Sequence, residues 1–257
     1  HGITTGMIEG TVVPLIVGSA TQGFGVDELM DVIVKYMPSP NDERANIGFR
    51  VEEGEARKVD VDEPLSAVVF KTIVDPFVGK ISFFKVVSGK VTKDTEIYNS
   101  TKKISEKAAG LFYMRGKQQL EATEVVAGDI GAFSKLEQTQ TGDTISLKSN
   151  PIVYKRVKYP QAALTFAIEP QTKNDEDKIG HALQRIAEED PTFSSYRDPE
   201  TRQLTISGLG NVQLQNVLDK LVNSYGVKTN IIPLRIPYRE TIKGRSDVQG
   251  RHKKQSG

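Results

Sequence analysis

The sequence predicts a multidomain α+β protein in which a β-barrel is followed by a βαββαβ domain. Three observations lead to this fold class. Short β-rich runs separated by turn residues follow one another through the middle of the chain, strand and helix patterns then alternate, and the first 40 residues form a strand–turn–helix pattern. The chain has 257 residues, of which 37% are hydrophobic, and this is enough apolar material for packed cores.

Residues 1–40 have the pattern of one unit of an α/β sheet. The nearly continuous apolar run at 11–17 predicts a buried strand, and apolar residues recur at helical spacing over 26–37. Pro38 ends this helix because proline disfavours helical geometry in the preceding residue. A single unit cannot form a core, so we interpret 1–40 as the C-terminal remnant of an α/β domain that begins upstream of His1.

A polar segment of mixed charge at 41–63 predicts a linker, and a β-barrel is expected over 64–155. No amphipathic helix fits the second region, and many short strands at regular spacing indicate a closed barrel. The predicted strands are Leu65–Thr72, Gly79–Val87, Thr95–Tyr98, Ala108–Met114 and Gly131–Phe133.

Residues 158–236 predict a domain of βαββαβ order, which is the ferredoxin-like plan. Asn174 or Asp175 is expected to cap the first helix, and Gly226 to end the second. The predicted elements are a strand at 162–168, a helix with its apolar stripe at 179–187, strands at 193–196 and 202–207, a helix at 214–225 and a strand at 227–236.

The net charge of +1 hides two charged segments of opposite sign. Residues 170–200 hold eight acidic and four basic side chains, whereas 238–257 hold six basic and two acidic ones. We interpret 237–257 as the truncated start of a further domain. Because the first and last residues do not resemble natural termini, the whole chain is expected to be a fragment.

Several chemistries are excluded by residue type. The absence of cysteine rules out thiol nucleophiles, disulfides and cysteine-ligated metals, and the three histidines lie far apart. Gly18 and Gly23 have the spacing of a phosphate-binding loop, but Phe24 stands where that loop requires lysine. Ser82 and Lys85 match a Ser-x-x-Lys signature, but on a strand they point to opposite faces. We therefore predict no catalytic residue and no metal site.

A series of short motifs, in order along nearly the whole chain, resembles elongation factor G, the translocation GTPase of the ribosome. The motifs are Gly18-Ser19-Ala20, Asp75-Pro76-Phe77-Val78-Gly79-Lys80, Ser88-Gly89, Asn99-Ser100, Ala127-Gly128-Asp129-Ile130, Thr141-Gly142-Asp143-Thr144, Glu188-Glu189-Asp190-Pro191-Thr192-Phe193, Ser207-Gly208-Leu209-Gly210, Tyr238-Arg239-Glu240-Thr241-Ile242 and Lys254-Gln255-Ser256-Gly257. The resemblance implies the end of the GTPase domain, domains II and III, and the start of domain IV.

The resemblance also implies a nucleotide role for three residues. In the intact parent, Gly18, Ser19 and Ala20 would contact the guanine of GTP, which binds together with Mg there. The phosphate loop and switches of the family precede this motif, so we expect no cofactor, no GTP binding and no GTP hydrolysis in this chain alone.

The partners implied by the resemblance are small-subunit rRNA and a ribosomal protein, together with the rest of the GTPase domain and domain IV. No membrane and no DNA partner is expected, and the expected compartment is the cytoplasm. The candidate contacts to rRNA phosphates are the basic residues Lys80, Lys85, Lys90, Arg251, Lys253 and Lys254.

The family pattern is broken after Gly210. Elongation factor G usually has Glu-Leu-His-Leu at this place, whereas this chain has Asn211-Val212-Gln213-Leu214. A glutamine also occurs there in tetracycline-resistance ribosomal protection proteins. The alternatives are therefore such a protection protein or a divergent elongation factor G paralogue. A self-contained enzyme with a small-molecule site in the barrel is a separate alternative, for which the sequence offers only polar loops.

Overall fold

A computed structural model describes residues 2–40, 42, 50–75, 79–93, 95–107 and 109–250. Cα proximity divides the chain into two compact units. The first unit contains residues 1–161 and 181–193, and the second contains residues 162–180 and 194–257. Among the described residues, no helix is long and apolar enough to cross a membrane.

The N-terminal region contains two helices, α1 (Gly2–Ile8) and α2 (Val26–Tyr36), and the second was predicted. The strand predicted at 11–17 is wrong, because no described strand pairs with this segment. The side chains of Val13, Leu15 and Val17 are 84%, 93% and 76% exposed. An apolar run becomes a buried strand only when neighbouring strands form hydrogen bonds with its backbone and other elements cover its faces.

Eight antiparallel strands form the main sheet of the first unit, in the order β6-β5-β11-β2-β3-β10-β7-β8. The sheet curls around one core, since Ile97 of β5 and Leu111 of β7 belong to the same buried cluster as Phe84 of β3. Phe84 and Phe133 stack in this core with centroids 4.2 Å apart. The bounds are β2 (Ser66–Asp75), β3 (Gly79–Ser88), β5 (Ile97–Asn99), β6 (Ile104–Glu106), β7 (Gly110–Arg115), β8 (Gln118–Glu121), β10 (Ile130–Ser134) and β11 (Thr144–Ser146).

Two short ladders complete the first unit. β4 (Lys90–Thr92) pairs with β9 (Glu124–Val126), and β1 (Val51–Glu53) pairs with β12 (Val153–Tyr154). Within the segment predicted as a linker, Arg57 also donates to the carbonyls of Pro64, Leu65 and Asn150. Burial lowers the pKa of this guanidinium. Residues 50–63 are therefore attached to the barrel.

The four-stranded sheet of the βαββαβ region has the order β14-β15-β13-β16, with every pair antiparallel, which is the ferredoxin-like topology. Phe166 lies directly opposite Ile206, which is fully buried. The bounds are β13 (Leu164–Pro170), α3 (Lys173–Glu189), β14 (Ser194–Arg197), β15 (Leu204–Gly208), α4 (Asn211–Tyr225) and β16 (Thr229–Ile232). The βαββαβ prediction is confirmed, although β16 is shorter than expected.

The cap of α3 differs from the prediction. Thr172, not Asn174 or Asp175, precedes the first helical residue, and its hydroxyl accepts from the backbone N–H of Asp175 at 3.2 Å. Asp175 Oδ2 accepts in return from the Thr172 N–H at 3.1 Å. This reciprocal pair is a capping box. The predicted end of α4 is confirmed, because Gly226 has a φ of 64° and donates to Leu221 and Val222.

Candidate functional site

The predicted guanine-contact motif forms a tight turn immediately before α2. Ser19 N donates to Phe24 O at 2.9 Å. A Cβ on Gly18 would lie 2.7 Å from that same carbonyl oxygen, and a Cβ on Gly25 would lie 2.5 Å from Val17 O. Glycine is required at both positions because a side chain at either would collide with the backbone of the facing segment. Gly18, Ser19 and Ala20 are therefore held in one tight loop.

The helix that follows this turn has an uncovered apolar face. Leu29, Met30, Ile33 and Val34 are 45%, 55%, 43% and 78% exposed. Exposed apolar residues at helical spacing are typical of a surface that another element covers.

The three candidate lysines of the barrel do not form one patch. Lys80 and Lys85 are five residues apart on β3, which separates them by about 17 Å and places them on opposite faces. Lys90 begins β4, where it is exposed and forms an ion pair with Glu124 at 3.3 Å.

The environments of the candidate lysines also differ. Lys80 Nζ donates to the backbone carbonyl of Glu137 at 3.2 Å, and burial lowers the pKa of this ammonium group. Lys85 is half-buried opposite Val68 and Ile130. Lys80 is therefore committed to the barrel and Lys90 is paired with Glu124, whereas Lys85 is a half-buried cation on the other face of β3. The remaining candidates, Arg251, Lys253 and Lys254, lie outside the described residues.

The Thr141–Thr144 motif has a structural role. The fully buried carboxylate of Asp143 accepts from Asn99 Nδ2 at 2.8 Å and from Gln140 N at 2.9 Å, and it forms ion pairs with Arg156 and Lys102. The neighbouring Ser100 donates its hydroxyl to two carbonyls, those of residues 144 and 152. These motifs therefore close the barrel and do not present a reactive group.

Gln213, the residue that departs from the family pattern, also has a clear local contact. Its Oε1 accepts from Leu209 N at 2.6 Å, across the turn between β15 and α4. The same oxygen would lie 2.5 Å from a Cβ on Gly208. Gln213 thus stabilises the turn that leads into α4. Gly208 is needed there because a side chain at that position would collide with the glutamine.

Sequence reasoning missed a group of arginines in the second unit. Arg197, Arg202 and Arg235 line one cleft, together with Glu169 and Glu176. These five residues lie on five different elements or loops, so their separation in the sequence carried no signal. Within the described ranges, no group of three or more His, Cys, Asp or Glu residues could hold a metal ion.

Ser82 and Lys85 do not form a catalytic pair. Ser82 is fully buried, and among the described residues its hydroxyl has no hydrogen-bond partner. Lys85 lies on the opposite face of the same strand, as the alternation of β3 predicts.

Two family matches divide the chain as the fold does. Residues 64–148 match "Elongation factor G domain 2", and residues 159–233 match "Elongation Factor G, domain III". Elongation factor G of Thermotoga maritima is 38% identical over 252 residues, covering 97% of this chain and 36% of the relative.

The chain belongs to the elongation factor G family. Elongation factor G of Thermotoga petrophila and of Thermotoga sp. strain RQ2 match over the same share of the chain at 38% identity. A crystal structure of a protein from Thermus thermophilus superposes with a TM-score of 0.75 and 26% identity, covering 94% of this chain and 34% of that one. The chain thus spans about a third of the length of these proteins, and the names of the three Thermotoga relatives favour elongation factor G over a protection protein.

Proposed function

We propose that this chain is the ribosome-binding and conformational-relay segment of an elongation factor G-like GTPase that acts in translocation of tRNA and mRNA. The observation that carries this proposal is the order of its parts. A barrel that matches domain II precedes a βαββαβ region that matches domain III, within a chain similar to elongation factor G over 97% of its length. The corresponding compartment is the cytoplasm, where ribosomes translate.

The proposed role of the turn at Gly18–Ala20 is to contact the guanine of GTP in the intact parent, which also binds Mg. Its tight geometry next to the start of α2 supports this role. The chain itself has no phosphate-binding loop signature, so we expect no GTP binding and no hydrolysis. Calorimetric titration with GTP and Mg tests this expectation, and micromolar binding would contradict it.

The proposed partner of α2 is the remainder of the GTPase domain. The uncovered stripe of Leu29, Met30, Ile33 and Val34 supports an apolar partner surface. We expect a separately expressed upstream GTPase segment to bind the chain, and Ile33→Asp to abolish that binding. Unchanged binding would count against this partner.

The domain boundaries at 64–155 and 158–236, and the domain IV start at 237–257, remain predictions.

The proposed ribosomal partners are small-subunit rRNA and a ribosomal protein. Contacts to rRNA phosphates release counterions, so the affinity for purified ribosomes should fall steeply with salt. Co-sedimentation of the full chain with ribosomes at several salt concentrations measures this slope. Salt-insensitive sedimentation would contradict the proposal.

Variants that remove one charge, or one cluster of charges, locate the contacts. Lys85→Gln, Lys90→Gln and a combined Arg251, Lys253 and Lys254→Gln variant should each weaken co-sedimentation. Lys35→Gln is the matched control, because Lys35 pairs with Asp31 on α2, away from the barrel strands. If the control weakens binding as much as the candidates, the attraction is unspecific and the named lysines are not contacts.

A further inference from the structure

An open cleft of about 270 Å³ lies within the second unit. Its walls come from β13, the first turn of α3, the β14–β15 hairpin, β16 and the segment that follows β16. The charged side chains that line it are Arg197, Arg202, Arg235, Glu169 and Glu176. Three arginines therefore line one surface feature of this unit.

Arg202 occupies a backbone conformation that arginine does not favour. Its φ is 59°, in the left-handed region that glycine and asparagine adopt most readily. The turn itself requires only a backbone donor here, since Arg202 N donates to Asp198 O at 2.8 Å. Nothing in the turn calls for a long cationic side chain, so the strained arginine points to a use for its guanidinium group.

One hydrogen bond holds the side chain of Arg197, and another holds the backbone at Arg235. Arg197 Nη1 donates to Arg202 O at 3.4 Å, and Arg235 N donates to Gln203 Oε1 at 2.8 Å. Across the described part of the chain, none of the three guanidinium groups takes part in an ion pair. Glu200, at the tip of the hairpin, is already paired with Arg239.

The net charge of the side chains that line the cleft favours an anionic ligand of low charge. Three cations face two carboxylates, which leaves a net charge of +1 and matches one phosphodiester group better than a polyphosphate. Guanidinium groups bind phosphate oxygens in bidentate geometry. The carboxylates of Glu169 and Glu176 are acceptors, and a ribose 2′-hydroxyl is a donor that DNA lacks.

The surroundings favour a chain over a small molecule. The cleft is open to solvent, whereas a small-ligand site usually buries most of its ligand. The exposed segment beyond the cleft continues with Lys243 and Arg245, and with Arg239, which is paired with Glu200. A polyanion that enters the cleft can therefore extend along this segment.

We propose that this cleft binds the sugar–phosphate backbone of RNA. The three arginines hold one phosphodiester, and the two glutamates accept from ribose hydroxyls. This inference rests on the proposed ribosomal function and adds to it an RNA contact within the domain III region, separate from the barrel lysines.

The decisive variant is Arg202→Gly, because it removes the charge and relieves the left-handed strain together. We expect the melting temperature to stay equal or rise, while the affinity for a short fluorescein-labelled single-stranded RNA falls about three- to tenfold in fluorescence anisotropy. The salt slope of binding should also fall by about 0.7, the value for one lost phosphate contact. Arg235→Gln should give the same loss of affinity.

Lys117→Gln is the matched control, since Lys117 is an exposed cation in the turn between β7 and β8 of the barrel. It should leave RNA affinity nearly unchanged. A labelled DNA of the same sequence should bind more weakly than the RNA, and Glu169→Gln should reduce this preference. Inorganic phosphate should compete only weakly, because a single free anion lacks the ribose contacts.

The outcomes separate this inference from the proposed function. If the wild-type chain binds ribosomes but Arg202→Gly behaves like Lys117→Gln, the cleft is not an RNA site and the proposed function stands. If the wild-type chain binds ribosomes but not the RNA, the inference also fails. If the wild-type chain binds neither, both fail. Equal binding of RNA and DNA would overturn the assignment of the glutamates.

Discussion

Asp143→Asn tests whether the buried carboxylate of the Thr141–Thr144 motif holds the barrel together. The substitution keeps the shape of the side chain and removes its charge. Oδ2 of Asp143 accepts from Asn99 at 2.8 Å and from Gln140 at 2.9 Å, and its Lys102 partner is 3.5 Å away. The side chain of Asp143 is 0% exposed, whereas that of its other partner, Arg156, is 47% exposed.

The expected cost follows from these contacts. Hydrogen bonds to a charged group contribute about 1.5–3 kcal/mol, and neutral ones about 1 kcal/mol. The bonds from Asn99 and Gln140 each lose about 1 kcal/mol when their acceptor becomes neutral. The lost pair with half-exposed Arg156 adds about 1 kcal/mol, discounted for solvent screening. We therefore expect the barrel to lose about 3 kcal/mol of stability.

Hydrogen–deuterium exchange measured by mass spectrometry is the suitable assay, because a chain with two units need not unfold in one transition. A loss of about 3 kcal/mol speeds exchange of core amides about a hundredfold. The amide of Val69, which donates to the carbonyl of Asp143 at 2.9 Å, is a direct reporter. Amides of β15 in the second unit serve as the internal reference.

Glu121→Gln is the matched control, because Glu121 pairs with Lys93 on the surface, where the two side chains are 74% and 62% exposed. We expect no measurable change in exchange for this variant. Acceleration of less than tenfold in Asp143→Asn, or equal acceleration of the two variants, would refute the structural role of the buried carboxylate.

Three further changes have defined outcomes. Gly89→Ala should cost about 3 kcal/mol in urea unfolding, because the φ of Gly89 is 69° and a Cβ would lie 2.6 Å from the carbonyl oxygen of Glu63; wild-type stability would show that the turn can relax. Ser82→Ala should raise barrel stability by about 1 kcal/mol, since its buried hydroxyl has no partner among the described residues; a loss would reveal a hidden partner. The hydrogen bond from the Thr172 hydroxyl lowers the pKa of Asp175 below its ordinary value of 3.8. The stability it contributes is therefore present above pH 3.8 and is lost as the pH falls through the lowered pKa of the folded state. Asp175→Asn should thus destabilise the α3 region at pH 7 but not in strong acid, and helix unfolding followed by circular dichroism checks this.

Local patterns were sufficient for α2, α3, α4 and the βαββαβ order of elements along the chain. Helical spacing of apolar residues is set within one helix, and the end of α4 depends only on a glycine at residue 226 that adopts a positive φ. The predicted cap of α3 was two to three residues too late. Thr172 is the cap, and Asp175 is its partner in a capping box, bonding back to the Thr172 N–H.

Other features depended on partners distant in the sequence. The apolar run at 11–17 has the composition of a buried strand, but its strand state requires neighbours that the described chain does not provide. Lys80 is a candidate phosphate contact by residue type, yet it donates to the carbonyl of Glu137, 57 residues further along the chain. Such outcomes follow from pairing and packing, which a single sequence pattern does not encode.

The order of residue types along this chain was enough to establish its family, its barrel and βαββαβ regions, and the absence of cysteine chemistry. The motifs are local, and turn glycines, proline boundaries and periodic apolar residues act within a few residues of one another. Tertiary structure alone decided that Asp143 is a buried structural carboxylate and that Arg197, Arg202 and Arg235 share a cleft. The burial of Asp143 and the shared cleft of the three arginines arise because strands and turns far apart in the sequence fold against one another.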